Sequence, residues 1–451
     1  MVPEQCQYPF KWPRAIMDKK FLTTLVLFLV LLSTGLSAAK PPRGELGEPL
    51  YRLRHESTRT VGQATRSHAA KLDTWNRSSV VEFFFNEYLP PLSVPMQWNG
   101  KVRPCNAGST SQAYLDATLQ TINFFRGMAG LAHASNATSY NSAAQQAALI
   151  MSANLALSHN PTPDWSCWTA DGAAAASTSN LALHLAGPNA IIAYIQASGP
   201  NNTFAGHRRW IFYPPINRFG IGSVGETTAD SNVLTIFTGF DPRPPTPVKV
   251  AWPPEGHVPY QVVYPRWSFA LNTGSPVNFS SALVTMNEGL TAIPVTVVSR
   301  TDNGYGDNTI VWEPSEPGIS PGSEDRRFTV TISNILVGET PRTEIYDVIV
   351  VDPEIPSKPI GIQATDGIFY DRVHVTFNPV AEATHYRLYR CSNAGQICGS
   401  PIAFPDTAFF DDTAGGPGKV YYYRVQACRQ SLCGEISEAN PGHRGKRPAP
   451  N

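Results

Sequence analysis

The apolar periodicity of this chain changes once, near residue 246, from a helix repeat to a strand repeat. That change excludes a single uniform fold. Before it, Leu115, Leu119, Ile122 and Phe125 recur at spacings of three or four, which puts them on one face of a helix opening at Ser111. Gly127 and Gly130 end that helix. A second helix is expected over 141–157, where Ala147, Ile150, Asn154 and Leu155 fall on neighbouring faces and small residues allow close packing. A third is expected over 189–196 and a fourth from about Ala205. After the change, apolar residues alternate over 282–286, 295–298, 328–332 and 345–350. Asn287-Glu288-Gly289, Gly304-Tyr305-Gly306-Asp307 and Pro317-Gly318 separate these runs. Short alternating strands with regular turns predict an antiparallel β-sandwich.

With 451 residues the chain is too long for one core. The Pro-rich stretch 353–359 reads as a linker into another β-module that runs to about Ala439. Positive and negative side chains balance at 35 each, which argues against nucleic acid or an anionic membrane as a partner, since both need excess Lys and Arg.

The first residues point to export. Lys19 and Lys20 precede an apolar run over 21–32, and Ser37-Ala38-Ala39 supplies the small residues of a cleavage site. Residues 1–39 are expected to be a signal peptide, with Met17 as an alternative start and Lys40 as the mature N-terminus. The run is too short for a comfortable span of ~20 residues, so no membrane span is expected in the mature form. The expected location is extracellular, with the periplasm a transit compartment. Residues 40–104 read as an N-terminal leader, loose and charged to Arg66 and aromatic over 80–88. Six cysteines follow the signal core: Cys105, Cys167, Cys391, Cys398, Cys428 and Cys433. An even number in an exported chain predicts disulfides, and their spacing gives no four-ligand zinc pattern.

Four pieces between Cys105 and Val224 resemble, in order, the CAP (SCP-like) superfamily in its bacterial form. They are Ile122-Asn123-Phe124-Phe125-Arg126 with Ala129-Gly130-Leu131, then Ser158-His159, then Ser179-Asn180-Leu181-Ala182. The last is Gly206-His207-Arg208-Arg209-Trp210 with Gly220-Ile221-Gly222. The resemblance implies an α-β-α sandwich over 105–235 with a cleft lined by His159 and His207. It makes Ser179, Asn180 and Arg208 further cleft candidates. Many family members add two acidic residues there and can hold a divalent metal. Here Ser179 stands where the family has a glutamate, and 189–196 contains no carboxylate. Two histidines make a poor zinc site, so no cofactor is expected beyond a weakly held divalent metal on His159 and His207. His184 or Glu226 would be needed to complete a ligand set, and spacing places neither.

The last module resembles fibronectin type III over 356–442, with 443–451 a tail. Val373-His374-Val375-Thr376-Phe377 reads as strand B, with Phe377 in place of the usual tryptophan. Tyr386-Arg387-Leu388-Tyr389 reads as strand C, and Tyr421 as the corner tyrosine before strand F. In that fold Cys391 and Cys398 lie at one pole and Cys428 and Cys433 at the other. The resemblance therefore implies local pairs, leaving Cys105 with Cys167. Residues 246–352 look immunoglobulin-like by pattern. The fold class expected is thus an α-β-α sandwich followed by two β-sandwiches.

Two functions fit. One is an extracellular binding or surface-interaction protein, its cleft holding a small or lipidic ligand and its β-modules serving as spacers or adhesive surfaces. The other is a hydrolase or metal-dependent enzyme acting on cell-wall material, polysaccharide or peptide. The missing acids favour the first. No Gly-x-Ser-x-Gly elbow lies near either histidine, and Ser158 adjoins His159 in sequence, which is poor geometry for a triad. An extracellular ligand, a polysaccharide or a protein surface is the expected partner.

Overall fold

The computed structural model describes residues 45–49, 72–225, 229–300, 304–316, 319–321, 324–395 and 399–446. The expected signal peptide, Glu226 and Cys398 lie outside these residues. Among them no helix is long and apolar enough to cross a membrane.

The first half is built on a mixed sheet. Its strands are β1 (Glu45–Leu46), β2 (Ser135–Asn136), β3 (Ser179–Leu183), β4 (Arg218–Val224) and β5 (Ser231–Thr235), in the spatial order β1-β3-β5-β4-β2. Helices α1 (Arg77–Phe83), α2 (Gln112–Met128), α3 (Thr138–Asn154), α4 (Ala170–Ala176), α5 (Gly187–Gln196) and α6 (Gly206–Ile211) complete it. The Ser111 hydroxyl accepts from the Tyr114 N–H at 3.2 Å and caps α2. The face of α2 that carries Ile122, Phe124 and Phe125 is fully buried.

Helix α3 lies on β4, as its run of small residues requires. A Cβ at Gly222 would sit 2.2 Å from the Ala144 backbone carbon, so only glycine permits this approach. The same face finishes the sheet edge. Gln145 accepts from the Ser223 N–H at 2.9 Å and donates to the Ser223 carbonyl at 2.7 Å, while Asn141 accepts from the Ile221 N–H. Strand groups that would otherwise be bare are thereby paired.

Part of the expected leader is folded. Helix α1 continues through a π-helical turn, Phe84–Tyr88, and a 3-10 turn, Pro90–Ser93. Val80 and Phe84 are buried, and the Tyr88 ring lies 4.9 Å from that of Phe124, tilted by 44°. The aromatic run 80–88 is therefore the outer wall of the α2 core.

The second region holds β6 (Lys249–Trp252), β7 (Gly256–Pro259), β8 (Trp267–Leu271), β9 (Val277–Asn278), β10 (Leu283–Glu288), β11 (Thr291–Ile293), β12 (Val295–Ser299), β13 (Thr309–Pro314), β14 (Arg326–Val337) and β15 (Thr340–Val351). One sheet runs β11-β10-β14-β15-β7, with β9 on β14, and the other β12-β13-β8-β6. All four expected strand runs are present. The pairing is antiparallel except for β7 with β15, which is parallel. The core of this region is continuous with that of the helical half. The Trp252 ring lies 5.3 Å from Phe125 and 5.5 Å from Phe212.

The third region comprises β16 (Gln363–Ala364), β17 (Val373–Thr376), β18 (His385–Cys391), β19 (Phe409–Asp412), β20 (Tyr421–Arg429), β21 (Leu432–Ile436) and β22 (Asn440–Gly442). Strands β16-β17-β19 form one sheet, and β18-β20-β21 with β22 on β20 form the other. This is the division that the fibronectin type III resemblance implies. Phe377 packs edge-on against Tyr386 at 4.7 Å. The Tyr421 hydroxyl accepts from the Gly416 N–H at 3.2 Å, a bond to backbone just upstream as in a tyrosine corner.

Two disulfides are described, Cys105–Cys167 and Cys428–Cys433. The second joins directly opposed residues of β20 and β21. Cys391 is disulfide-bonded, while its expected partner lies outside the described residues.

Candidate functional site

His159 stands in the loop after α3, and three devices fix that loop. Leu155 ends the helix in the left-handed region at φ 50°. Asn154 exchanges two hydrogen bonds with the Ser166 backbone at 2.9 and 3.0 Å. The Cys105–Cys167 disulfide ties the loop's far end to the turn around Cys105. The half-buried His159 ring then sets Nδ1 2.8 Å from the Ala176 carbonyl and Nε2 2.6 Å from the Glu48 carbonyl. A neutral imidazole carries one N–H, so it can donate to only one of these acceptors.

His207 is the second residue of α6 and is fully buried. Its ring stacks on Tyr194 of α5 at 5.4 Å, with the planes 21° apart. Asn180 of β3 donates to the His207 carbonyl at 3.3 Å, and Asn202 accepts from the Gly206 N–H at 2.9 Å. Among the described residues, four buried polar atoms here meet no hydrogen-bond partner: both ring nitrogens of His207, Oδ1 of Asn180 and Nδ2 of Asn202. Burial pushes the His207 imidazole down to about 3. The nearby charge of His159 adds to the shift, and the Gly47 backbone, short of hydrogen-bonding geometry, opposes it. His207 is therefore neutral at any physiological pH.

The other candidates divide. Asn180 belongs to the site. Ser179 is buried at the start of β3, where its hydroxyl donates to the Ala175 carbonyl at 2.6 Å and contacts Thr235 Oγ1 at 3.0 Å. It is committed to holding β3 against α4. Arg208 points away from the two histidines. Its guanidinium bonds the carbonyls of Ile195, Gln196 and Arg266 and the hydroxyl of Ser268, which joins α6 to the second region. Arg126 likewise spends Nε on Ala132 O and Nη1 on Ile211 O. Burial lowers both guanidinium groups to about 9. Both are spent mainly on main-chain carbonyls.

The donor set does not suit a metal ion. Both His159 nitrogens already face carbonyls, Ser179 is spent, and His184 is exposed at the surface. Among the described residues no group of three or more His, Cys, Asp or Glu is placed to hold one.

Sequence reasoning missed the segment that lies over His159. Strand β1 pairs antiparallel with the outer edge of β3, with Glu45 opposite Leu183 and Leu46 opposite Ala182, and the Gly47 N–H donates to Leu181 O at 2.9 Å. Tyr194, Asn202 and Tyr305 were missed as well. They read as ordinary core and turn residues, and nothing in their spacing marks them.

A small cavity of about 20 Å³, room for one water, lies elsewhere, between Arg208, Phe212, Val250 and Asp307.

No curated protein matches this chain. Among solved structures it is similar to an Fn3-like protein from Clostridium thermocellum, at 23% identity over 21% of this chain and 98% of that one, with a TM-score of 0.19. The FN5 domain of Drosophila Lar matches at 21% identity over 20% and 99%, with a TM-score of 0.18. Domains A168–A170 of titin match at 13% over 49% and 81%, with a TM-score of 0.19. Likenesses at such TM-scores carry no weight, and the third region rests on its own strand order. The family model described as "CAP: Cysteine-rich secretory protein family" matches residues 119–238, which hold α2 to β5 and both histidines; the chain carries a CAP domain.

Proposed function

We propose that this protein is a secreted binding protein whose CAP cleft, around His159 and His207, holds a ligand without transforming it. The two β-modules, the first an immunoglobulin-like sandwich, act as spacers or adhesive surfaces. Residues 1–39 are removed on export as a signal peptide. The observation that carries this reading is the buried, neutral His207 ring with both nitrogens unpartnered, together with one unpartnered atom on each of Asn180 and Asn202, which hold its backbone. Buried polar atoms are nearly always paired, so four bare ones together call for an occupant. Catalysis finds less support. Among the described residues no carboxylate hydrogen-bonds either histidine ring, the Ser179 hydroxyl is committed to structure, and a ring held neutral makes a poor general acid.

The test is mass spectrometry of secreted protein purified natively, alongside His207→Phe, which keeps the stacking on Tyr194. Release of a bound compound from the wild type and none from the variant is the expected result. Turnover of a cell-wall polysaccharide or peptide that vanishes in the variant would replace binding with catalysis.

A further inference from the structure

We infer that the CAP cleft is a receptor for an extended polypeptide strand, and that residues 45–49 are its intramolecular occupant. The inference deepens the binding reading above and replaces a small or lipidic ligand with a peptide.

The segment is held as a strand ligand would be. Main chain is read first. Glu45 and Leu46 pair with β3, the Gly47 N–H bonds Leu181 O, His159 Nε2 meets the Glu48 carbonyl, and the Tyr305 hydroxyl donates to the Pro49 carbonyl at 3.2 Å. From Gly47 onward exposure alternates: Gly47 and Pro49 are buried while Glu48 faces out, as along an extended chain. The inward positions require particular residues. A Cβ at Gly47 would stand 3.1 Å from Leu181 Cβ, and one at Gly206 would stand 2.4 Å from Pro49 Cβ. Gly206 thus leaves a seat that proline fills. Outside, the Glu48 carboxylate accepts from Asn201 Nδ2 at 3.2 Å.

Addition to a sheet edge, with affinity from main chain and selectivity from alternate side chains, is a general mode of peptide recognition. The cleft selects a small residue, then an acidic one, then proline. The pairing is short, at two residues of strand, so the segment is displaceable.

The probe is a fluorescent synthetic peptide of residues 43–51, added to the full secreted chain carrying Gly47→Pro. That change removes the N–H bonded to Leu181 and weakens the cis segment. Saturable binding is expected, about tenfold or more tighter than to wild type, where the cis segment competes at an effective concentration on the order of millimolar. His159→Ala in the same background should weaken binding about fivefold. Equal affinity for both chains, or no saturable binding, overturns the inference. Should Gly47→Pro fail to fold, hydrogen exchange on the wild type decides. Excess peptide must speed exchange of the Gly47 amide, which is bonded to Leu181 O, and unchanged protection overturns the inference. Recovery of the peptide cleaved would uphold strand recognition and overturn the non-catalytic reading; a small molecule that alone exposes 45–49 would do the reverse.

Discussion

A single buried imidazole sets the chemistry of the cleft, and its protonation can be followed. Unfolded, His207 titrates near its ordinary 6.5; folded, near 3. Between these values the unfolded chain binds a proton that the native chain refuses. The stability His207 contributes is whole above pH 6.5 and is lost as pH falls towards 3, by roughly 1.4 kcal/mol per pH unit. Carboxylates titrate over part of that range too, so the comparison must be with His207→Phe, which retains them all. Urea midpoints at pH 7, 6 and 5 should fall more steeply in the wild type. Parallel lines would mean the ring is more solvated than its surroundings imply.

Arg77 is the other residue with disproportionate reach. From α1 it bonds Asp325 in the second region at 2.8 Å, Glu382 in the third at 3.1 Å, and the Asp352 and Ile355 carbonyls between them at 3.1 and 2.8 Å. Glu382 is buried and also receives Ser78 and Ser357. Arg77→Ala leaves that carboxylate without its cation, a change that costs about 3 kcal/mol when such pairs are well buried. The expected result is early, separate unfolding of the third region in calorimetry; an unchanged single transition would assign the contact to the surface.

At the level of elements, the close packing of α3 on β4 makes a sharp prediction. Gly222→Val would drive a side chain into the Ala144 backbone, and overpacking of this kind costs about 1–3 kcal/mol or more. Chemical denaturation should show it, and wild-type stability would mean that the helix can retreat.

The elements were legible where packing follows local pattern. The apolar faces of α2 and α5, the small residues of α3 and the alternation in β10 and β12 announced themselves because each is written in a local repeat of the sequence. Tyr421 and the Cys428–Cys433 pair were legible through the fibronectin type III resemblance. What escaped depends on contacts across long sequence separation. Residues 45–49 have too few apolar side chains to show a period, and their strand exists only because β3 offers an edge. The aromatic stretch of α1 gave no helix signal of its own, since a π-helical turn breaks the repeat. Arg208 looked like a cleft residue because it follows His207, whereas one step along a helix turns a side chain about 100° away.

For the whole molecule, the shared core decides what can be separated. Trp252 packs on Phe125 and Phe212, so the second region completes the helical half. The third region has a core of its own, around Val375, Leu388, Tyr423 and Val425. A fragment of residues 354–445 should therefore melt cooperatively in oxidising buffer; a broad transition would make it dependent on Arg77 and on the cation–π contact of Arg429 with Phe85 at 4.0 Å. The CAP domain and the disulfides are those of an extracellular type of protein; the proposed binding site is the cleft around His159 and His207. That this cleft binds and does not catalyse through a metal is the central claim. Elemental analysis of secreted protein purified without added metal or chelator tests it most directly, with His159→Ala and His207→Ala alongside. The account predicts zinc well below one equivalent in all three proteins, because two histidines with one already bonded to carbonyls fall short of the three or four ligands zinc needs. About one equivalent in the wild type, lost in both variants, would contradict it.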